Sequence, residues 1–158
     1  LKVQTEDLPE RIAQLSEKLK AAEKEIETLR KQQLAARASE FVSAAKDING
    51  FKVIALTLPE GTTGGDLRTV ATDLRNRLRE EEAVIVLGAE DKGKFPFIAA
   101  ATDKAVGRGV KSGDIVKEFG QYVDGRGGGK PDMAQGSGST AAGAERGFEA
   151  VKDMLESL

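Results

Sequence analysis

Between residues 125 and 138 the chain reads Gly-Arg-Gly-Gly-Gly-Lys-Pro-Asp-Met-Ala-Gln-Gly-Ser-Gly, its most chemically suggestive stretch. Three consecutive glycines bury no side chain and lose more backbone freedom on folding than any other residue type. A domain accepts that where the chain must turn with positive φ, or where another backbone or a ligand approaches closely. Arg126 and Lys130 bracket Gly127, Gly128 and Gly129, and Gln135 adds a donor and an acceptor. Successive free N–H groups in such a turn can form an anion-binding nest. A flexible connection between two helices is the competing reading. The composition of Lys130-Pro131-Asp132-Met133-Ala134-Gln135 opposes it, because Pro131 stiffens the turn and Met133 and Ala134 can anchor it to a core. Behind the loop, Ser137, Ser139 or Thr140 can cap a final helix and add anion donors.

The remaining composition narrows the chemistry. The chain has 158 residues and contains no His, Cys or Trp. Thiolate nucleophiles, His bases, Ser–His–Asp triads and His/Cys zinc sites are excluded within it, as are disulfides. No apolar run approaches the roughly 20 residues of a membrane helix, and the first residues are polar and acidic rather than a signal peptide. The chain opens without Met and in mid-pattern, as a C-terminal piece of a longer protein would. Net charge is −2, and residues 1–49 hold nine basic and nine acidic groups. Any nucleic-acid contact must therefore use a local surface rather than a bulk field.

Two regions must position the glycine segment. Leu8, Ile12, Leu15, Leu19, Ala22, Ile26 and Leu29 follow alternating spacings of four and three, a heptad seam. Pro9 and Glu10 suit the first helical turn. Such a helix can lie on its own domain, fold into a helical hairpin, or pair with another chain through Leu8, Ile12, Leu15, Leu19, Ile26 and Leu29. The seam weakens from Gln32 to Ser39 and resumes with Phe41, Ala44, Ala45 and Ile48, so a bend or second helix is expected near Ala36–Ser39, ending on Asn49–Gly50. The expected division is residues 1–49 as a helical arm and 50–158 as a globular body.

In that body, Lys52–Leu58, Ala83–Ala89 and Phe95–Ala101 read as strands, the first two too continuously apolar for one wet face; Pro96 places the third towards an edge. Leu67, Val70, Ala71, Leu74 and Leu78 mark one face of a helix whose other face carries arginines and acids. A short helix is expected over Asp103–Val106 and another from Ser112 or Gly113, with Ile115, Val116, Phe119 and Tyr122 on one side. A last helix follows the glycine loop with Phe148, Val151, Leu155 and Leu158. The fold class is α/β (α+β-like): a helical arm, then a small mixed sheet covered by helices.

Other motifs fall away. Gly88-Ala-Glu-Asp-Lys-Gly-Lys94 resembles a P-loop, but Phe95 stands where a magnesium-binding hydroxyl belongs and a strand follows; a hairpin turn at Asp91, Lys92 and Gly93 explains it. Gly136-Ser-Gly138-Ser-Thr-Ala141 fits the loose dinucleotide fingerprint with no βαβ unit after it. Glu80-Glu81-Glu82 reads as a solvated helix end.

Several blocks in order resemble the C-terminal domain of the alanyl-tRNA synthetase family. They are the heptad arm, Ala44-Ala45-Lys46-Asp47-Ile48-Asn49-Gly50, Lys52-Val53-Ile54-Ala55, Val84-Ile85-Val86-Leu87-Gly88, Ile98-Ala99-Ala100-Ala101-Thr102-Asp103-Lys104, Gly109-Val110-Lys111-Ser112-Gly113-Asp114-Ile115-Val116-Lys117 and Gly127-Gly128-Gly129-Lys130-Pro131-Asp132-Met133-Ala134-Gln135-Gly136. The globular part also resembles the domain beside the catalytic module of DHH phosphoesterases, which typically carry His where Lys130 stands; this departure favours the synthetase. The resemblance implies a cytoplasmic, non-catalytic module that docks the tRNA elbow, supports dimerisation through the arm, and serves upstream aminoacylation and editing domains. Their ATP, magnesium and zinc sites lie outside these residues, so no cofactor is expected here. It makes Arg126, Gly127, Gly128, Gly129, Lys130, Pro131, Asp132, Gln135 and Gly136 the RNA-binding candidates. Two other expectations stay open: a nucleic-acid-gripping accessory domain of a DHH phosphoesterase, and a purely structural assembly module.

Overall fold

The apolar periodicities build two units, residues 1–36 and residues 37–158. The structure, a computed structural model, describes residues 8–158 apart from the side chains of Leu8 and Ala35; the Leu8 position of the expected seam thus falls outside the described side chains. A single helix α1 runs from Leu8 to Ser43, not two helices. Along it Ile12, Leu15, Leu19, Ile26 and Leu29 are 60, 65, 61, 56 and 51% exposed. No helix among the described residues is long and apolar enough to cross a membrane.

The second difference from the expected arm lies at its end. Lys46–Ile48 is a strand, β1, paired antiparallel with β2 (Phe51–Thr57). Asn49 and Gly50 are the two-residue turn between them, with φ of 54° and 85°. Positive φ at both positions is what a type I′ hairpin needs. A helix cap and this turn ask the same of Asn-Gly, and the pairing with β2 decides between them.

The body continues with α2 (Gly64–Arg77), β3 (Ala83–Gly88), β4 (Phe95–Ala101), α3 (Asp103–Gly107), α4 (Ser112–Tyr122), β5 (Arg126–Gly129), β6 (Met133–Gly138) and α5 (Ala144–Glu156). The six strands form one sheet in the order β1-β2-β3-β4-β6-β5. Only β2 and β3 are parallel, joined by α2; the other neighbours are antiparallel. Thr63 and Asp66 form a capping box that starts α2. The β3–β4 connection is a tight turn with Lys92 and Gly93 at positive φ and Asp91 bridging Lys94, as the sequence predicts.

Alternation along the strands sorts the core into two layers. Phe51, Val53, Val84, Val86, Phe95, Phe97, Ala99 and Ala134 pack with Ile115, Val116 and Phe119 of α4 and Phe148, Val151 and Leu155 of α5. The Phe119 ring lies 5.0 Å from both Phe97 and Phe148. The other face carries Ile54, Ile85, Leu87, Ile98 and Ala100, buried with Leu67, Val70, Ala71 and Leu74 on the side of α2, which packs on β3 and β4.

Three smaller expectations change. Strand β4 is interior, flanked by β3 and β6. Pro96 is tolerated because its carbonyl accepts from Ala89, so its missing N–H also faces the β3 side, past the last β3–β4 pair at Gly88–Phe97. Helix α5 starts at Gly143 with no side-chain cap; the Thr140 hydroxyl accepts from Ala142 instead. The Glu80–Glu82 run lies beyond the end of α2, and Glu81 and Glu82 pair with Lys52 and Arg108 at 2.7 and 2.6 Å.

Thr102 locks the sheet to α3. Its buried hydroxyl donates to the Glu81 carbonyl at 2.6 Å and accepts from Ala83 N–H at 3.0 Å and Ala105 N–H at 3.4 Å. Thr102→Val keeps the shape and strands those partners. It is expected to cost about 1–3 kcal/mol, read as a lower denaturant midpoint at unchanged m-value.

Candidate nucleic-acid interface

The glycine segment is a β-hairpin, not a loop. Strand β5 is the outer edge of the sheet, and its Arg126, Gly127, Gly128 and Gly129 face Ser137, Gly136, Gln135 and Ala134 of β6. None of the three consecutive glycines has positive φ. The nest expected from the sequence is therefore absent: extended backbone points successive N–H groups to opposite sides in the sheet plane. Their second justification, close approach, does apply on one face. A Cβ at Gly127 would run into Val116 Cγ1 and sit 2.6 Å from Gly136 Cα, and one at Gly136 would lie 2.7 Å from the Phe97 ring. Without side chains at Gly127 and Gly136, β5 and β6 settle directly on α4 and β4.

The opposite face is open. A Cβ at Gly128 would meet nothing within 4 Å. Period-two alternation puts Gly128 with Arg126 on β5 and with Gln135 and Ser137 on β6, all exposed. Because α2 packs on β3 and β4, this end of the sheet has no helix above it, and a groove of about 500 Å³ remains. The hairpin forms one wall through Gly128, Gly129, Lys130, Asp132 and Gln135. The other wall is Arg68, Thr72 and Arg75 of α2. Arg126, Gly127, Pro131 and Gly136 lie outside the groove: Arg126 and Pro131 are exposed beside it, while Gly127 and Gly136 are half-buried on the far face.

The hairpin tip is pinned. Ser112 N–H donates to the Pro131 carbonyl at 2.9 Å, so the turn also satisfies the start of α4, and Ala101 N–H donates to the Asp132 carbonyl at 2.9 Å. Arg75 Nη1 lies 3.2 Å from Asp132 Oδ2. Ala134 is buried in the core and Met133 half-buried, the anchoring predicted from the sequence. Arg68, Arg75 and Lys130 stand against Asp132 alone among the groove's charged groups, so a chain of net charge −2 presents a locally cationic groove. Sequence reasoning missed the α2 wall. Its trace was the spacing of Arg68, Thr72 and Arg75, which makes one helical stripe, but nothing local ties that stripe to glycines some fifty residues later.

The sheet, the helices on both faces and the glycine hairpin define a known class. The sequence matches the DHHA1 domain over residues 50–157, and the chain belongs to that family. Over its whole length it is similar to alanine–tRNA ligases. Identity is 52% over 160 residues with that of Corynebacterium efficiens and 51% over 158 residues with that of Corynebacterium glutamicum strain R; each alignment covers 100% of this chain and 18% of the relative. Among solved structures, the C-Ala domain from Aquifex aeolicus alanyl-tRNA synthetase matches with a TM-score of 0.64 at 22% identity, over 71% of this chain and 97% of that one. RecJ from Thermus thermophilus matches with a TM-score of 0.58 at 19% identity, over 82% of this chain and 18% of that one. At those identities the two structures speak to the fold alone.

Proposed function

We propose that this chain is a cytoplasmic, non-catalytic module of an alanine–tRNA ligase that docks the elbow of tRNA and pairs two copies through α1. In this reading α1 is the arm, the sheet body from β1 onward is the tRNA-binding part, and the aminoacylation and editing domains of the parent are its covalent partners. The observation that carries the proposal is the pinned hairpin with an exposed Gly128 face beside exposed Lys130, in a chain similar over its whole length to alanine–tRNA ligases. The tRNA elbow offers stacked bases and converging phosphates. A surface without side chains can lie flat against a base or sugar, and recognition of folded RNA works largely through such shape and stacking. Cations beside it contact phosphates without reading sequence.

The alternative reading is a nucleic-acid grip beside a DHH phosphoesterase module, which the DHHA1 match of the globular body leaves open. Lys130 and the whole-chain similarity to the ligases, arm included, favour the first reading.

The test is titration of the chain with a folded tRNA transcript at low and moderate salt. Binding is expected to be modest and steeply salt-dependent. Lys130→Glu is expected to weaken it with the melting temperature preserved, since Lys130 is exposed at the tip. Unchanged affinity in Lys130→Glu would remove the hairpin from the RNA interface, and absence of RNA binding at any salt would leave only the assembly role.

A further inference from the structure

The two cations on the α2 wall are not equivalent. Arg75 is engaged by Asp132, at 3.2 Å to the carboxylate and 3.5 Å to the carbonyl. Arg68 lies two helical turns, about 10 Å, away along the same stripe. It is exposed, and no ion pair or hydrogen bond to another described residue engages its guanidinium. Lys130, on the hairpin wall, is likewise exposed with no ion pair among the described residues. The open face of Gly128, the Gln135 amide and the half-buried Met133 lie with them in the groove.

We infer that Arg68 is an RNA-contacting residue, and that the RNA backbone lies across the groove with phosphates near both Arg68 and Lys130. The inference rests on the RNA-docking reading and adds α2 as a second wall of that site. The arrangement suits nucleic acid because it sets exposed cations on two walls, with the side-chain-free Gly128 beside Lys130 on the hairpin wall. Phosphates can be engaged at the sides while a sugar or base face rests on Gly128. Guanidinium adds a planar, bidentate fork for phosphate that Lys130 lacks. Arg75, paired with Asp132, links the hairpin to α2 within the same groove.

Arg68→Ala, Arg68→Lys and Lys130→Glu are compared with the unmodified chain by tRNA titration across a salt series, each variant checked by thermal melting. Loss of one phosphate contact lowers the slope of log affinity against log salt by close to one unit, so the affinity drop between about 50 and about 200 mM salt should shrink by about three- to fourfold in Arg68→Ala. Arg68→Lys should keep the slope while binding more weakly. If Arg68→Ala binds with unchanged affinity and slope while Lys130→Glu loses affinity, the α2 wall makes no RNA contact and the hairpin reading stands alone. If both bind as the unmodified chain does, RNA docks elsewhere on the chain and the groove falls as its site; absence of binding by the unmodified chain overturns the RNA-docking reading itself.

Discussion

Gly127→Val is expected to damage the fold, and Gly128→Val is expected to leave the fold intact and weaken tRNA binding. The two residues are adjacent on one extended strand but face opposite ways. At Gly127 the new Cβ would lie 2.6 Å from Gly136 Cα and 2.7 Å from the Gln135 carbonyl. Both are backbone atoms of the paired strand and cannot rotate away. Overpacking of this kind costs about 1–3 kcal/mol or more, and in a chain of this size each kcal/mol lowers the melting temperature by about 2–4 °C. A drop of about 3–10 °C by circular dichroism is expected for Gly127→Val. At Gly128 the added atoms meet open space, φ is not positive, and a β-branched residue suits an extended strand. Gly128→Val should therefore melt within a degree or two of the unmodified chain, and its gel-shift affinity for tRNA should fall on the order of tenfold, since a raised side chain separates RNA from the shelf. A Gly128→Val chain that binds tRNA normally would show that RNA does not rest on this strand.

Leu19→Glu is expected to halve the mass of the particle in solution. Ile12, Leu15, Leu19, Ile26 and Leu29 repeat at heptad spacing and are each more than half exposed. Each buried in a paired seam gains about 1.5–3 kcal/mol, and a carboxylate at a central position must be desolvated against that gain. Light scattering should read twice the chain mass of 16.8 kDa for the unmodified protein and 16.8 kDa for Leu19→Glu. A monomeric unmodified chain would end the self-association reading and leave the tRNA reading untouched, because the groove is built entirely from the body. Ala22, where two helices approach most closely in such a seam, is the natural second site for substitution.

The sequence was most legible where periodicity is local. The continuous apolar runs of β2 and β3, the α2 stripe of Leu67, Val70, Ala71 and Leu74, and the α4 face of Ile115, Val116 and Phe119 all lie where their spacing places them. It was least legible where two readings share the same local chemistry. Asn49–Gly50 supplies positive φ equally to a helix cap and a hairpin, and the three residues of β1 are too few to show an alternation. The glycine segment misled in the same way: a run without side chains has no periodicity to read, so the turn and the strand look alike until a partner is known.

What the residues determined unaided is the cast of the site: a side-chain-free stretch, cationic flanks, anchors at Met133 and Ala134, and an arm with an apolar seam. What only tertiary structure decided is how they meet. Pairing with β6 turned the glycines into a flat edge strand with one sealed and one open face. The seating of α2 over β3 and β4, but not over β6 and β5, brought Arg68, Thr72 and Arg75 to the groove. The reason is range: hydrophobic period and turn chemistry act over a few residues, whereas strand order and helix placement are set by burying surfaces contributed by segments far apart in the chain.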